Sequence, residues 1–591
     1  MARRIFARYL APALVTVWAV TAGGGALRSA PPAEDLLVSR AEVGRSGDQL
    51  VLSQSAEPKT LNPVTVVDVV SRTVIRCMMA DLIHVNRETQ QTERALAKAW
   101  TVSPDGRRYT LTLRRGLRFS DGHPFDADDV LFSFHVYLDE KVRSSQRDQL
   151  VVGGQPVGVR KIDQYTVQFD LAESYASAER LFDGVAILPR HLLEAPYLQN
   201  RLADAWGMRT PPEGMAGLGP FRFKQYLPGD RIVLEKNPYY WKADRAGHRL
   251  PYLDNLVFTL VPSDETQAMR FQAGEVDIVS RVSADTFDVL ARTERTAAYK
   301  LYDLGAGLDY SFVFFNLNDV DPKTLPEVAR RQTWFRQVPF RQAISAAIDR
   351  EAIVRLVYRG RATPLWGHVP PGNKVWVNRS IPQPARSLER ARGLLKTAGF
   401  SWKPDGTLVD ARGDAVEFSI VTNAENKQRI AMATIIQDDL KQLGMSVHVV
   451  TLELRTLVDR VLKTHDYEAC VLGLGAGDAT PNAEMNVWLS SGGTHLWSPE
   501  QSRPATAWEA EIDTLMRRQM TTIDSGARKQ FYDRVQELVA QNLPLICLVS
   551  PNVLVGANKS LGNFRPAVLD HHTLWNVEEL FWRQKRSRVG P

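Results

Sequence analysis

Apolar and polar residues alternate in several short stretches of the first half of the chain. A period of two residues is typical of half-buried strands, and turns containing glycine, proline or aspartate separate these stretches. One helix interrupts them, because Asp126 can cap a run in which Val130 and Phe134 recur at helical spacing. The predicted strands are 49–53, 109–113, 165–169, 231–235 and 256–260. This half is therefore predicted to be rich in β-structure.

The second half has the longer apolar period that is typical of helices. Its predicted helices are 340–358, 387–399, 505–520 and 525–542. Pro339 and Gly360 bound the first of these, and proline at the start with glycine at the end is the usual asymmetry of a helix. The chain is therefore predicted to be of the α/β class, with a β-rich part followed by a helix-rich part.

The clearest supersecondary unit lies at 416–454. It combines a strand, a helix that Gly444 ends, and a second strand, which predicts a βαβ unit with parallel strands. The apolar run 469–474 is predicted to be a strand that extends the same sheet. Ligands in such sheets bind just beyond the carboxyl ends of the strands. The loop after 474 is therefore a candidate binding site.

That loop has glycine at positions 473, 475 and 477, followed by Asp478 and Pro481. Glycines leave the backbone uncovered, so a ligand can approach closely, and a neighbouring carboxylate can pair with a cationic group. The alternative is a glycine-rich surface turn with a solvated aspartate, and the segment alone does not separate the two. A dinucleotide site is disfavoured, because Pro481 interrupts the chain where a helix N-terminus should hold the phosphates.

Length and composition limit the class of protein. A chain of 591 residues is predicted to contain two or three structural units, and 44% hydrophobic with 24% charged residues is typical of globular proteins. The net charge of +6 comes mainly from arginines and lysines close to the two ends of the chain. The body between them is nearly neutral, which argues against binding of nucleic acid.

The N-terminus has the pattern of an export signal. Basic residues precede a short apolar run and then small residues, so residues 1–26 are predicted to be a signal peptide. An uncleaved membrane anchor is the alternative, although the apolar run is short for a bilayer. Residues 27–47 are predicted to be a linker, and Cys77 is the first cysteine, so no lipidation site follows the signal. We expect an exported, soluble, periplasmic protein.

Common catalytic and metal-binding motifs are absent from the sequence, including G-x-S-x-G, S-x-x-K, H-E-x-x-H and C-x-x-C. Cys77, Cys470 and Cys547 are too scattered for a disulfide framework and are predicted to be buried. His571 and His572 are predicted to be solvated rather than metal ligands, because neighbouring side chains diverge. We therefore predict no catalytic residue, metal or cofactor.

Several short motifs occur in a fixed order along the chain. They include E-P-K-T-L-N-P at 57–63 and A-W-T-V-S-P-D-G at 99–106. The other segments of the set are 107–122, 128–130, 217–221, 235–241, 340–349 and 391–400. In this order, from about 48 to about 555, the set resembles the family-5 extracellular solute-binding proteins, the peptide- and nickel-binding receptors of ABC importers, and it is specific for that family.

The resemblance implies a two-lobed periplasmic-binding-protein fold of type II, with an extra subdomain in lobe I and a hinge between the lobes. Closure of two lobes around a ligand is the motion expected of such a hinge. Chain crossings near 305 and 549 would serve as hinges. The implied divisions are lobe I at 48–306 with its extra subdomain at about 85–213, lobe II at 307–548, and the return to lobe I with a basic tail at 549–591.

The resemblance also implies where a ligand would bind. In peptide-binding members a Gly-Trp-x-x-Asp loop supplies a carboxylate for the free amino group of the peptide. Here Leu474 stands where tryptophan is usual and Gly477 where aspartate is usual, and Asp478 comes one residue late. A slip of one residue can turn a side chain to the opposite side, which weakens the expectation of amino-terminus recognition. The predicted ligand-binding residues are Glu57, Leu474, Gly475, Ala476, Gly477, Asp478, Trp488 and Trp497.

The function implied is that of a receptor rather than an enzyme. It would bind a small peptide, a peptide-like molecule or another polar organic solute and deliver it, as a monomer, to the permease subunits of an ABC transporter. One alternative is a secreted polymer-degrading hydrolase, which would turn its substrate over. Another is a binding protein that has lost transport and acts as a sensor.

Overall fold

The computed structural model describes residues 33–176, 178–475 and 479–585. The predicted signal peptide and three predicted site residues, Ala476, Gly477 and Asp478, lie outside these ranges. In this part of the chain none of the helices has the length and apolar character needed to span a bilayer.

Strands and helices occur in both halves of the chain, and most of the strands lie in the first half. Those before residue 300 are β1 (Leu37–Val38), β2 (Gln49–Gln54), β3 (Ile83–Val85), β4 (Thr92–Arg94), β5 (Ala97–Val102), β6 (Arg108–Leu113), β7 (Val151–Val152), β8 (Gln155–Pro156), β9 (Gly158–Asp163), β10 (Thr166–Asp170), β11 (Phe221–Leu227), β12 (Arg231–Lys236), β13 (Lys242–Ala243), β14 (Asn255–Leu260), β15 (Ile278–Ser280) and β16 (Tyr299–Ala306). Those after it are β17 (Tyr310–Phe315), β18 (Ala362–Pro364), β19 (Ser401–Trp402), β20 (Leu408–Val409), β21 (Glu417–Asn423), β22 (Ser446–Leu452), β23 (Ala469–Leu474), β24 (Leu545–Asn558), β25 (Leu561–Gly562) and β26 (Phe581–Trp582).

The helices are longest in the second half. They are α1 (Val69–Met78), α2 (Ala127–Leu138), α3 (Arg190–Leu198), α4 (Asp264–Gln272), α5 (Ala284–Ala291), α6 (Pro326–Phe335), α7 (Val338–Ala347), α8 (Arg350–Val357), α9 (Leu388–Thr397), α10 (Lys427–Lys441), α11 (Leu454–Asp459), α12 (Met485–Trp488), α13 (Ala507–Thr521) and α14 (Ser525–Asn542).

One large sheet runs through both halves of the molecule. Its strand order is β11-β12-β14-β2-β15-β24-β17-β23-β21-β22, and β16 and β18 also pair with β24. Strand β24 is 14 residues long, and its first part pairs with β17 whereas its last part pairs with β15 and β16. This strand and the passage from β16 to β17 therefore connect the two halves.

The buried apolar residues form separate cores on the two sides of this connection. We call lobe I the part whose core is drawn from residues 50–278 and 557–582, and lobe II the part whose cores lie within 310–549. A smaller cluster of Phe271, Leu301 and Leu554 lies beside the connecting strands. Within lobe I, strands β5, β6, β10 and β9 form a second sheet.

The predicted βαβ unit is confirmed. Strands β21 and β22 pair in parallel from Glu417↔Ser446 to Asn423↔Leu452, with α10 between them in sequence. Strand β23 extends this sheet as predicted, because it pairs in parallel with β21 and antiparallel with β17. The predicted cap of α2 is also confirmed, since Asp126 and Asp129 form a reciprocal capping box.

The predicted single helix over 340–358 is wrong, because the chain forms α7 and α8 there. Ile348 leaves the helical conformation, and the Asp349 carboxylate accepts a hydrogen bond from the Ala352 amide at 2.8 Å. A side chain that caps so well competes with continuation of the helix. The Asp349 amide itself donates to Asp439 at 2.8 Å.

Two further expectations need correction. Within the predicted linker, residues 33–47 lie against lobe I, where β1 pairs in parallel with β13 and Lys98 binds Asp35 at 3.0 Å. His571 and His572 are half-buried rather than solvated, and burial lowers the pKa of both imidazoles. The three cysteines are free and buried, as predicted.

Candidate functional site

Strand β23 ends at Leu474, close to the connection between the two lobes. Leu474, the last residue of β23, lies opposite Tyr310 of β17 and packs against the lobe II core. A side chain on the next residue, Gly475, would place its Cβ 2.9 Å from a carboxylate oxygen of Asp309. This neighbour is the end of a side chain rather than backbone, so a small shift of the Asp309 carboxylate would accommodate a Cβ there. Ala476, Gly477 and Asp478 are outside the described residues, so their role stays a prediction.

Glu57 is held within lobe I. One of its carboxylate oxygens accepts hydrogen bonds from the Tyr226 hydroxyl at 2.9 Å and from the Gly229 amide at 2.6 Å. Both donors belong to the hairpin of β11 and β12. The contacts recorded for Glu57 thus brace this hairpin, and its predicted contact with a ligand stays a prediction.

Trp488 and Trp497 are buried in lobe II, each only 1% exposed. Their ring centroids are 6.0 Å apart, and the Trp488 ring contacts the imidazole of His368 in a tilted arrangement, with 4.0 Å between the centroids. Each indole nitrogen donates to a glutamate, Trp488 to Glu484 at 2.9 Å and Trp497 to Glu509 at 3.0 Å. The two tryptophans form part of the core, and the prediction that they line a ligand site stays a prediction.

A small cavity lies in lobe II next to these tryptophans. The volume open to the centre of a water-sized sphere is about 10 Å³, which is enough for roughly one water molecule. Its lining combines apolar and polar side chains from distant parts of the sequence. The lining residues are Leu308, His368, Val369, Pro370, Asn373, Ala479, Thr480, Glu484 and Tyr532.

Glu484 carries the negative charge of this cavity. Its Oε2 accepts hydrogen bonds from Trp488 Nε1 at 2.9 Å and from the Tyr532 hydroxyl at 3.3 Å. No described residue donates to its Oε1, and no described cationic side chain pairs with it. Burial raises the pKa of Glu484 above its ordinary value, although these two hydrogen bonds act in the opposite direction.

A chain of three polar groups runs from Glu484 through Tyr532 to His368, whose Nε2 lies 3.3 Å from the Tyr532 oxygen. Tyr532 donates its only proton to Glu484, so its oxygen accepts from Nε2–H of the imidazole. This assignment leaves Nδ1 with a lone pair, and Nδ1 has no partner in the described part of the chain. Burial lowers the pKa of His368 to about 3, so the ring is neutral at ordinary pH.

Two hydroxyl groups nearby are also unsatisfied. The Tyr310 hydroxyl and the Thr480 Oγ1 are buried and have no hydrogen-bond partner among the described residues. Burial raises the pKa of Tyr310 well above its ordinary value, and the negative charge of Glu484 adds to this effect. Of these two residues, Thr480 lines the cavity together with Glu484 and His368, whereas Tyr310 lies outside its lining.

Apolar residues of both lobes cover this cavity. Leu308 and Ala479, which line it, pack with Val85 and Leu569 in a small buried cluster. Val85 belongs to β3 of lobe I, and Leu569 lies in the segment that returns to lobe I after β24. The cavity is therefore closed off where the lobes meet.

Direct hydrogen bonds join the lobes on one side of this contact. The side chain of Gln90 donates to the Gly372 carbonyl at 2.7 Å and accepts from the Lys374 amide at 2.8 Å. Lys374 Nζ also donates to the Glu88 carbonyl at 2.7 Å. A Cβ on Gly372 would lie only 2.2 Å from the Ala306 carbonyl oxygen, so glycine is required at this crossing.

A second set of hydrogen bonds joins the lobes at the end of α13. The Ala176 amide donates to the Met520 carbonyl at 2.6 Å, and the Ser174 hydroxyl donates to the Thr521 carbonyl at 2.8 Å. Carbonyls in the last turn of a helix have no partner within the helix, so lobe I supplies what α13 lacks. The lobes are closed upon each other in this arrangement.

A group of Asp81, His84 and Asp183 in lobe I has the spacing of a metal site. However, Arg87 forms an ion pair with Asp183 at 3.0 Å, and the amides of Val85 and Gly184 donate to Asp183 and Asp81. A fixed cation and two backbone donors already balance these carboxylates, which disfavours a further cation.

None of the residues that line the cavity is among the ligand-binding residues predicted from the sequence. Glu484 and Trp488 are four residues apart, which is a spacing that can bring two side chains together on a helix. That spacing was the only local signal. His368 and Tyr532 come from a loop and from α14, and no pattern in the sequence links them.

Comparison with known proteins identifies the family to which this chain belongs. A family model described as "Bacterial extracellular solute-binding proteins, family 5 Middle" matches residues 91–495. The chain belongs to this family. The predicted family resemblance is therefore confirmed.

Relatives of this solute-binding protein match it over most of its length. A Deinococcus radiodurans protein named "Probable ABC transporter-binding protein" is 28% identical over 519 residues, which are 84% of this chain and 85% of the relative. The "Oligopeptide-binding protein AppA" of Bacillus subtilis is 24% identical over 552 residues, 92% of each chain. Both names describe binding proteins rather than enzymes.

Solved structures confirm the fold. The structure of AppA from Bacillus subtilis, described as a complex with a nonapeptide, superposes with a TM-score of 0.64 at 24% identity. The match covers 92% of this chain and all of that one. The predicted two-lobed periplasmic-binding-protein fold of the α/β class is thus confirmed.

Proposed function

We propose that this solute-binding protein is the receptor of an ABC importer. It captures a small peptide, a peptide-like molecule or another polar organic solute between its lobes and delivers it to the membrane permease. The main support is the family match over residues 91–495 together with the direct hydrogen bonds that close lobe I on lobe II. Several relatives are named for peptides, which favours a solute of that kind.

The chemistry of the described site suits binding without reaction. The groups around the cavity are a carboxylate, a neutral imidazole and hydroxyls, and the sequence has none of the common nucleophile motifs. Enclosure between two lobes removes water from a solute and strengthens its polar contacts. We infer that the solute leaves the protein chemically unchanged, that the mature protein is exported and periplasmic, and that it acts as a monomer.

Each lobe contributes two segments to the hydrogen bonds that join the lobes. Lobe I contributes Gln90 and the segment at 174–176, and lobe II contributes the loop at 372–374 and the end of α13. These pairs lie on different segments of each lobe, so opening must break both sets. We propose that solute binding supplies the free energy that holds both sets together, so that the permease meets the closed form.

Extraction of the bound solute tests this function. The protein is purified without denaturation, its bound small molecules are released and identified by mass spectrometry, and each is added back to solute-free protein in a calorimeter. We expect one solute per chain, a saturable heat of binding and no change in solute mass after long incubation. A protein that carries no solute and binds none of a broad set of short peptides and polar metabolites would contradict the proposal.

A further inference from the structure

The turn between α8 and β18, residues 358–361, carries two arginines beside the connections between the lobes. Helix α8 packs on the core of lobe II through Ile353 and Val354, and β18 pairs with β24. The Arg361 carbonyl accepts a hydrogen bond from the Asn552 amide of β24 at 3.0 Å. Arg359 has a left-handed backbone with φ of 51°, which is uncommon for a residue with a side chain. The turn is therefore fixed to lobe II, and its unusual backbone indicates that the position of Arg359 matters.

Three carboxylates face this turn from the lobe I side. Asp285 and Asp288 are three positions apart on α5, so they lie on the same side of that helix. Helix α5 follows β15, which pairs with β2 of lobe I, and Phe287 of α5 packs in the same small cluster as Leu301 of β16. Asp303 lies on β16 itself, close to its end. The three carboxylates therefore belong to lobe I and to the strand through which the chain leaves it.

Ion pairs join these carboxylates to the arginines of the turn. The guanidinium of Arg361 lies 3.3 Å from an oxygen of Asp303 and 3.4 Å from an oxygen of Asp288. Arg359 Nε pairs with the carboxylate of Asp285. We call these five residues the hinge ion cluster.

The hinge ion cluster differs from the uncharged contacts that join the lobes elsewhere. Its charges are partly exposed, with 59% of the Arg359 side chain and 72% of the Asp285 side chain accessible, so salt in the solvent screens them. Arg361 also lies over the ring of Phe287, with 4.6 Å from Cζ to the ring centroid, which orients its guanidinium. Exposed pairs add little to the stability of a fold. Pairs between parts that move against each other contribute instead to the difference in free energy between closed and open lobes.

We propose that the hinge ion cluster stabilises the closed arrangement of the lobes, so that ionic strength sets how often the solute-free receptor is closed. Opening turns lobe I, and α5 with it, relative to the turn at 358–361, which lengthens the ion pairs of the closed arrangement. The inference rests on the proposed function, because it requires lobes that open and close. The receptor would then release its solute more readily in a medium of high salt.

Scattering at low and high salt tests the hinge ion cluster without knowledge of the solute. Small-angle X-ray scattering of solute-free wild-type protein is recorded in about 20 mM and about 1 M sodium chloride, and the ratio of closed to open molecules is fitted at each salt. The screening length falls from roughly 20 Å to about 3 Å between these conditions. We therefore expect the ratio to fall about fivefold and the radius of gyration to rise.

Matched variants locate the effect. Arg359→Gln removes one exposed charge, so it should lower the ratio at low salt about threefold and weaken the response to salt. Exchange of the two charges, Asp285→Arg with Arg359→Asp, should restore both. Asp285→Asn removes the same pair from the other side and serves if Arg359→Gln folds poorly. Arg534→Gln is the control, because Arg534 pairs with Glu511 within lobe II at a similar exposure and should behave like wild type.

The outcomes separate this proposal from the proposed function. A wild-type ratio that does not change with salt, or an Arg359→Gln variant that responds to salt as wild type does, would overturn the role of the hinge ion cluster. If the lobes then still close when solute is added, the receptor function stands alone. A salt response that depends on Arg359 in a protein that binds no solute would support the cluster and contradict the receptor.

Discussion

Lobe II contains two clusters built from the same residue types, and they differ in completeness. In the first, Glu509 accepts hydrogen bonds from Trp497, Gln501, Thr506 and His495. In the second, Glu484 accepts from Trp488 and Tyr532 only, and both bonds are to the same oxygen. We call these the Glu509 cluster and the Glu484 cluster.

The pKa values of the two carboxylates are shifted in opposite directions. Burial would raise the pKa of Glu509, but its four hydrogen bonds prevail and lower the pKa to about 2. Burial raises the pKa of Glu484, and its two bonds do not reverse the effect. A buried carboxylate with all its partners stabilises the fold, whereas one with missing partners is suited to receive a ligand. The comparison therefore contrasts a buried carboxylate with four hydrogen bonds and one with two.

The largest expected loss of stability follows from a change in the Glu509 cluster. Glu509→Ala leaves the indole of Trp497 and the imidazole of His495 buried without their acceptor, so we expect the free energy of unfolding to fall by about 3–5 kcal/mol. Guanidinium denaturation measures it. Glu511→Ala on the same helix is the control, because Glu511 forms only a surface ion pair with Arg534 and should change stability by less than about 0.5 kcal/mol. A loss below about 1 kcal/mol in Glu509→Ala would show that the cluster is not structural.

The pH dependence of stability should test whether the imidazole of His368, next to the Glu484 cluster, is neutral in the folded protein. The pKa of His368 is about 3 in the folded protein and near its ordinary value of 6.5 in the unfolded chain. The neutral ring therefore contributes fully to the free energy of unfolding above pH 6.5, and this contribution is lost as the pH falls toward 3. Between pH 8 and pH 5 we expect wild-type protein to lose about 2 kcal/mol that His368→Gln does not lose. Denaturation at a series of pH values measures the difference. His448→Gln, at an exposed histidine, is the control, and equal pH slopes for wild type and His368→Gln would contradict the assignment.

Breaking the contact between the lobes should cost less free energy than removing Glu509. Gln90→Ala removes two hydrogen bonds across the cleft, so we expect the closed form to lose about 1–2 kcal/mol relative to the open form. Small-angle X-ray scattering of solute-free protein should then give a larger radius of gyration than wild type. Gln91→Ala alters an exposed neighbour and should scatter like wild type. An unchanged radius in Gln90→Ala would mean that this contact does not hold the lobes closed.

The smallest expected change in stability is that of Glu484→Gln, and it tests most directly whether the Glu484 and Glu509 clusters differ. Glu484→Gln keeps an oxygen for Trp488 and Tyr532 and removes a charge that burial disfavours, so we expect stability near pH 8 to change by less than about 1 kcal/mol. The same denaturation series as for Glu509→Ala measures it. A loss as large as that of Glu509→Ala would place both clusters in the structural class.

Elements with strong local signals could be predicted from the sequence. The βαβ unit of β21, α10 and β22 has apolar residues at the right period and a glycine stop, and its parallel pairing followed from its connection length. The cap at Asp126 was likewise predictable, because Asp126 precedes apolar residues at helical spacing. The break between α7 and α8 was not predicted, because Asp349 stands inside an otherwise helical pattern and its capping bond appears only in the structure.

The candidate site could be predicted only in outline. The sequence placed a ligand loop at the end of β23, but the cavity is formed by segments near 308, 368–373, 479–484 and 532 that only the folded chain brings together. The same applies to Gln90 and Gly372, which are 282 positions apart. Long-range contacts of this kind have no local period, so pattern analysis cannot reveal them.

The central claim is that two lobes close on one solute and release it unchanged. Small-angle X-ray scattering of solute-free and solute-loaded protein, with mass spectrometry of the released solute, tests it most directly. We predict that loading decreases the radius of gyration and that the recovered mass equals the mass supplied. A radius that does not change on loading, or a recovered compound of different mass, would contradict the account.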